Sequence, residues 1–239
     1  MGSATPELWT CRLGRIGWSD ALAMQEQLRD ARQQNLIPDT LLLLEHPPTV
    51  TLGRRADESE VPSGRESLAA SGISVHDADR GGRATCHEPG QLVGYPIMHT
   101  TDVTTFVRRI ENAVIEGIAE CGVESSTREG LTGVWCDDRK IASIGIHVQR
   151  GVTTHGFAIN SENDLETFKA VIPCGLPGVV MTSIQNEGGD GGLACLRQHI
   201  GHAFAGQHKL RQRLVSPGQL GLTDAVIAPS TPCRPAVVA

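Results

Sequence analysis

At 239 residues, against a prior of about 150 residues per domain, the chain has room for one large domain or one domain with an appendage, and it needs no disulfide staples to bury a core. Apolar residues at 39% and charged residues at 20% exclude disorder and collagen-like structure, and with Trp 3, Tyr 1 and Phe 4 the core falls to Leu, Ile, Val and Ala. The net charge of −6 argues against general nucleic-acid binding, which needs a basic surface.

Ser19 is predicted to cap a helix that carries Ala21, Met24, Leu28 and Ala31 at helical spacing, runs to about Asn35 and is ended by Pro38. Residues 40–45 form an apolar run too short for a helix, and residues 49–52 follow Pro47 and Pro48; they read as two buried strands joined by a turn. From Asp102 to Cys121, the positions Phe106, Val107, Ile110, Ala113, Val114, Gly117 and Ile118 keep a helical period with one buried face. Residues 131–136 and 140–148 resemble paired strands turning at Asp137 and Asp138, and residues 152–160 a third strand. A short helix is expected over 165–172 and a longer one over 193 to about 210. His199 and His202 lie three apart on the latter, but no Cys, Asp or Glu completes a metal set, so they read as ordinary surface or core histidines. Residues 1–222 are expected to form one domain, and residues 223–239, rich in Pro and Ala, an extended or disordered tail. Hairpin strands alternating with helices predict an α/β or α+β fold, a mixed sheet flanked by helices rather than a doubly wound parallel one.

No apolar run approaches the roughly 20 residues of a membrane span. No basic-then-apolar leader opens the chain, and Pro6 breaks a myristoylation pattern, so a cytoplasmic protein is expected. Seven cysteines without a Cys-x-x-Cys pair give no zinc ribbon or thioredoxin motif, and the default for each is a small buried or reduced side chain. The phosphate-cradling Gly-x4-Gly-Lys-Ser/Thr loop is absent from the sequence.

Three stretches combine glycine with reactive side chains: RGGRATCHEPGQLVGYP from Arg80, KIASIGIHVQRGVTTHGFAIN from Lys140, and PCG from Pro173. Gly81 and Gly82 permit close backbone approach, with Arg80, Thr85 and His87 as donors; the same pattern also suits a polar turn at a strand end. Lys140 opens an apolar strand, where burial would lower its pKa, and it reads equally as a surface lysine at a hairpin edge. Cys174 sits between a rigid and a permissive residue, a turn that can expose a thiol, and a neighbouring cation would favour the nucleophilic thiolate.

Together with LLLLEHPPTVTLGR from Leu41, these stretches resemble the lipoyl(octanoyl) transferase family, octanoyl-[acyl carrier protein]:protein N-octanoyltransferases of lipoate synthesis. The resemblance runs from the first helix to about Ser183. It implies a fold shared with biotin- and lipoate-protein ligases, no cofactor and no metal. It implies a Cys174 acyl thioester, with Lys140 tuning the thiol and moving protons. Arg80, Gly81, Gly82, Arg83, Ala84, Thr85, Cys86, His87, Ser143, Ile144, Gly145, Gly156, Phe157 and Ala158 would then line the acyl site. The implied donor is octanoyl-acyl carrier protein. The implied acceptors are lipoyl domains of 2-oxoacid dehydrogenase E2 subunits and the glycine cleavage H protein.

The chemistry agrees with the resemblance, because thioester exchange needs no ATP while the attacking lysine needs a base. Gly145 and Gly156 offer amides, and His87 a donor, for an oxyanion. Arg54, Arg55, Arg80, Arg83 and Arg150 are expected to gather as a basic patch for the acidic carrier. Two positions depart from the family pattern. Cys86 replaces a bulky aromatic, which would widen an acyl wall. Glu88 replaces a glycine, which predicts strain of about 1–2 kcal/mol if φ is positive there and a more cationic His87. The alternatives are an ATP-dependent lipoate-protein ligase, which needs no cysteine nucleophile, and a non-catalytic module that binds an acyl carrier or lipoyl domain.

Overall fold

The computed structural model describes residues 5–172, 178–190 and 192–222. Its elements in chain order are β1 (Glu7–Arg15), α1 (Trp18–Gln33), β2 (Asp39–Glu45), β3 (Thr49–Leu52), α2 (Arg65–Ala70), β4 (Ser74–Asp77), β5 (Ala84–His87), β6 (Gln91–Ile97), α3 (Val103–Ala119), β7 (Ser126–Arg128), β8 (Leu131–Cys136), β9 (Arg139–Gln149), β10 (Val152–Asn160), β11 (Val180–Met181), α4 (Leu193–Gln207) and β12 (Arg211–Val215). The large sheet runs β12-β1-β2-β6-β10-β9-β8-β7, with β11 added alongside β9. It is mixed, as expected: β1 is parallel to both β12 and β2, whereas β6, β10, β9 and β8 follow in antiparallel succession.

The leucine run of β2 explains the layering. Leu41 and Leu43 face a core shared with Ile110, Val114 and Ile118 of α3 and Ile200 and Phe204 of α4. Leu42 and Leu44 face the opposite core, with Ala21 and Leu28 of α1. A strand covered on both faces has no polar side to alternate with, so its sequence is continuously apolar. α3 starts where Asp102 accepts hydrogen bonds from the amides of Thr104 and Thr105. Its buried Glu111 accepts from the amide of Gly133, which ties the helix to β8.

Some expectations are corrected. α1 begins at Trp18 after Gly17, and Ser19 is exposed and caps nothing; the buried Trp18 ring stacks on His76 at 4.8 Å and fixes the earlier start. β2 and β3 are not partners: β3 centres a separate sheet of order β4-β3-β5, because the two prolines between the strands redirect the chain. The expected helix over 165–172 is a 3-10 turn, Glu166–Ala170, entered through Leu165 at φ 64. It packs Phe168 against Val50, Leu52 and Cys86. The hairpin of β8 and β9 turns at Asp137, whose φ of 51 suits a turn.

Cys11, Cys86, Cys121 and Cys136 are buried thiols, and burial pushes Cys121 and Cys136 up to about 11 and Cys11 up to about 12. Cys195 departs from the reduced default and is disulfide-bonded. Among the described residues, no helix is long and apolar enough to cross a membrane. The expected tail over 223–239 lies outside the described residues.

Candidate active site

The loop from Arg80 to Arg83 is laced down on both sides before it meets any ligand. The Gly81 amide donates to the Ile146 carbonyl of β9 at 2.9 Å, and the amides of Arg54 and Arg55 donate to the carbonyls of Arg80 and Gly82 at 3.0 and 3.1 Å. Gly145 is required here, since a Cβ would lie 2.6 Å from the Gly81 carbonyl oxygen. Arg80 is buried and donates Nη2 to both the carbonyl and the hydroxyl of Thr51, each at 2.7 Å. Arg83 pairs with the buried Glu60 at 3.0 Å, and Glu60 accepts the Ala84 amide at 2.8 Å.

Above this framework lies a cavity of about 390 Å³, within the span of roughly 300–1,000 Å³ usual for small-molecule sites. Of the residues expected at the acyl site, Arg80 to Thr85, His87, Ser143 to Gly145 and Gly156 to Ala158 line it. Lys140 joins them. Cys86 does not: alternation along β5 turns its side chain into the core with Val61, Leu68 and Phe168. Its Sγ lies 3.4 Å from the Thr167 carbonyl oxygen, to which it donates. The widened acyl wall expected of Cys86 is therefore absent.

Glu88 also differs from expectation. It is not among the residues with positive φ, and its buried carboxylate accepts from Asn163 Nδ2 at 2.7 Å, the Leu165 amide at 2.9 Å and the Thr167 amide at 3.0 Å. Its charge is used by the 163–167 segment, and His87 is not made cationic: burial holds His87 well below the usual imidazole range. His87 Nδ1 lies 2.9 Å from Gln91 Oε1. The Gln91 amide nitrogen donates to the Cys86 carbonyl and to Asn160 Oδ1, so the network assigns the proton to His87 Nδ1 and leaves Nε2 an acceptor. The oxyanion donor expected of His87 is thereby replaced by a neutral acceptor. Gly156 owes its identity to packing, for a Cβ would lie 2.1 Å from the Gly94 carbonyl oxygen.

Lys140 is 4% exposed. Its Nζ donates to the Thr132 carbonyl at 3.1 Å and lies 5.2 Å from the centroid of the Trp135 ring. Cys174 lies outside the described residues, but the chain on either side of 173–177 is anchored. The Ile172 amide donates to the Glu60 carbonyl at 2.9 Å. Beyond it, Met181 pairs in parallel with Lys140 itself, and the Thr182 amide donates to the Lys140 carbonyl at 2.9 Å.

Sequence reasoning missed much of the remaining wall: Trp18, Tyr95, Val103, Val107, Leu131, Trp135 and His155 also line the cavity. His155 had a signal in the neighbouring Gly156; its φ of 55 is left-handed for a non-glycine, the local strain that collects at sites. Burial holds its ring below the ordinary imidazole range, and neutral Nε2–H donates to Asp79 at 2.6 Å. His147 Nε2 stands 3.5 Å from the same carboxylate. Tyr95 hydrogen-bonds His46 Nε2 at 2.7 Å, and His46 Nδ1 donates to the Ile16 carbonyl at 2.6 Å; the Tyr95 hydroxyl is therefore the donor. Arg55, Arg80 and Arg83 sit at the cavity, whereas Arg150 is at the β9–β10 turn beside Asp30, Gln33 and Gln34 of the α1 end. The expected five-arginine patch is thus not assembled. Among the described residues no group of three His, Cys, Asp or Glu is placed to hold a metal ion.

A model of the family described as the lipoyl protein ligase A/B catalytic domain matches residues 18–205. The octanoyltransferase of Acidobacterium capsulatum is 42% identical over 192 residues, covering 73% of this chain and 78% of that protein. That of Solibacter usitatus is 46% identical over 169 residues, covering 69% and 77%, and that of Mycolicibacterium smegmatis 45% over 194 residues, covering 77% and 82%. Among solved structures, lipoate-protein ligase A bound with ATP matches with a TM-score of 0.69 at 15% identity over 89% of each chain. A chain of an archaeal lipoylation system from Thermoplasma acidophilum, a bipartite lipoate protein ligase and its E2 lipoyl domain, matches at 0.69 and 17% over 88% of this chain and 87% of that one. At those identities the likeness is one of fold, and the mixed sheet with its flanking helices is the fold of lipoate-protein ligases. The chain belongs to the lipoyl protein ligase A/B catalytic domain family, among its octanoyltransferases.

Proposed function

We propose that this acyltransferase takes an octanoyl group from octanoyl-acyl carrier protein onto Cys174 and passes it to a lysine of a lipoyl domain. The observation that carries the reading is the anchoring of the segment after Cys174 to the backbone of Lys140, a buried cation on the wall of a partly apolar cavity. An ammonium held near a thiol favours its thiolate. The thiolate adds to the donor thioester carbonyl, the bond to the carrier sulfur breaks, and Lys140 returns a proton to that sulfur as it leaves. The acceptor amine, having lost a proton to Lys140, then adds to the Cys174 thioester. A carbon–nitrogen bond replaces the carbon–sulfur bond, and the cysteine is regenerated.

Val103, Val107, Leu131 and Phe157 give the cavity its apolar surface, to which an octanoyl chain adds up to about 0.8 kcal/mol per buried methylene. The acceptor class is supported by the relatives, one of which was solved as a system with an E2 lipoyl domain. E2 subunits of 2-oxoacid dehydrogenases and the glycine cleavage H protein are the proposed carriers of that domain. Incubation with octanoyl-acyl carrier protein and an apo lipoyl domain, without nucleotide, is expected to yield the octanoylated domain. Product only from free octanoate plus ATP would replace this reading by that of a ligase.

A further inference from the structure

Trp135 carries a donor with nothing to donate to. Its side chain is 1% exposed and lines the cavity together with Lys140 and Leu131. Its Nε1 has no hydrogen-bond partner among the described residues. The other such atom in the lining, Arg83 Nε, faces the Glu60 carboxylate at 3.0 Å. An indole N–H only donates, and leaving it buried and unpaired is unfavourable unless an acceptor arrives.

Two cations flank the ring: Lys140 Nζ lies 5.2 Å and the Arg128 guanidinium carbon 5.1 Å from its centroid. Cations over an aromatic face draw on its electron density and make the N–H a stronger donor. Around the cavity Arg80 donates to Thr51, His155 to Asp79 and Tyr95 to His46, while Lys140 gives one of its three N–H bonds to the Thr132 carbonyl. Leu131 belongs with Val103, Val107 and Phe157 to the apolar part of the lining, so a ligand whose acyl chain fills that part brings a carbonyl as the acceptor for Trp135.

We propose that Trp135 Nε1–H binds the carbonyl oxygen of the octanoyl group, so that this indole recognises the acyl thioester itself rather than the arm that delivers it. The proposal rests on the acyl-transfer reading above. The hydrogen bond tightens as that oxygen gains negative charge during attack, which is when a preformed donor helps most.

The test uses the full chain and two non-cleavable pantetheine thioethers. In one, a methylene separates sulfur from an octanoyl ketone; in the other, that ketone is replaced by a methylene. Both retain the amides of the arm, and calorimetry reports the binding of each independently. Indole N–H signals are followed by nuclear magnetic resonance, with Trp135→Phe identifying the Trp135 signal. If that variant fails to fold, Trp9→Phe and Trp18→Phe identify the other two signals instead. The Trp135 signal is expected to move downfield with the ketone and to stay within its linewidth with the plain thioether. An equal shift with both, or none while both bind, would overturn the proposal alone. Failure of the ketone to bind would overturn the acyl-site reading with it, whereas binding of the ketone alone, with the downfield shift, supports the proposal.

Discussion

The Glu88 carboxylate accepts the backbone amide of Thr167 at 3.0 Å, joining the end of β5 to the 3-10 turn that leads toward Cys174. The same carboxylate takes Asn163 Nδ2 and the Leu165 amide. This acidic residue thus acts as a backbone organiser.

Glu88→Gly should therefore destabilise the protein by about 2–4 kcal/mol, because three donors to a buried charge lose their acceptor. Urea unfolding checks it through the midpoint at unchanged slope. A gain in stability would mean that Glu88 is a strained intruder after all.

Cys86 packs against Val61, Leu68 and Phe168 rather than the cavity. Cys86→Ala should leave the ratio of decanoyl to octanoyl transfer within twofold of the wild type, while Cys86→Trp should cost about 1–3 kcal/mol of stability through overpacking. A Cys86→Ala variant that gains decanoyl transfer severalfold would place that side chain at the acyl wall.

This pair marks what was legible. Two of the three glycine-containing stretches, those from Arg80 and from Lys140, brought thirteen expected residues of the Arg80–His87, Ser143–Gly145 and Gly156–Ala158 segments to one cavity, since reactive and permissive residues together mark close backbone approach; the third lies outside the described residues. Period-two alternation says that Thr85 and His87 share a face opposite Cys86, but not which face meets the ligand. β6 escaped notice because Gly94 and Pro96 interrupt it, although it lies inside the sheet between β2 and β10. Pro96 is uncommon in such a strand, and Gly94 leaves room for the Phe157 ring, which would lie 2.1 Å from a Cβ there. Those reasons are tertiary, as is the presence of Val103 and Val107 in a lining whose Arg80 loop and Lys140 lie at least 20 and 33 residues away in sequence.

Burial lowers His46 from 6.5 to about 4 even though its ring hydrogen-bonds the Ile16 carbonyl. A lowered imidazole pKa means that the unfolded chain binds the extra proton first. The stabilisation is complete above about pH 6.5 and is lost as pH falls toward 4, by roughly 3 kcal/mol for this group. His46→Gln should be less stable than wild type at pH 7.5, yet its stability should fall less steeply between pH 6.5 and 4 in urea titrations. Parallel slopes would show that His46 is not kept neutral by the fold.

The most direct measurement is intact-mass and peptide-mass spectrometry of reduced protein after brief exposure to octanoyl-acyl carrier protein. One octanoyl group should appear on the peptide that contains Cys174, be released by hydroxylamine, and be absent from Cys174→Ala. Its formation should slow by about 10²-fold or more in Lys140→Gln, the low end of what a positioned proton-transfer group contributes. An unmodified Cys174 in protein that still octanoylates a lipoyl domain, or a label mapping to another residue, would contradict transfer through this cysteine.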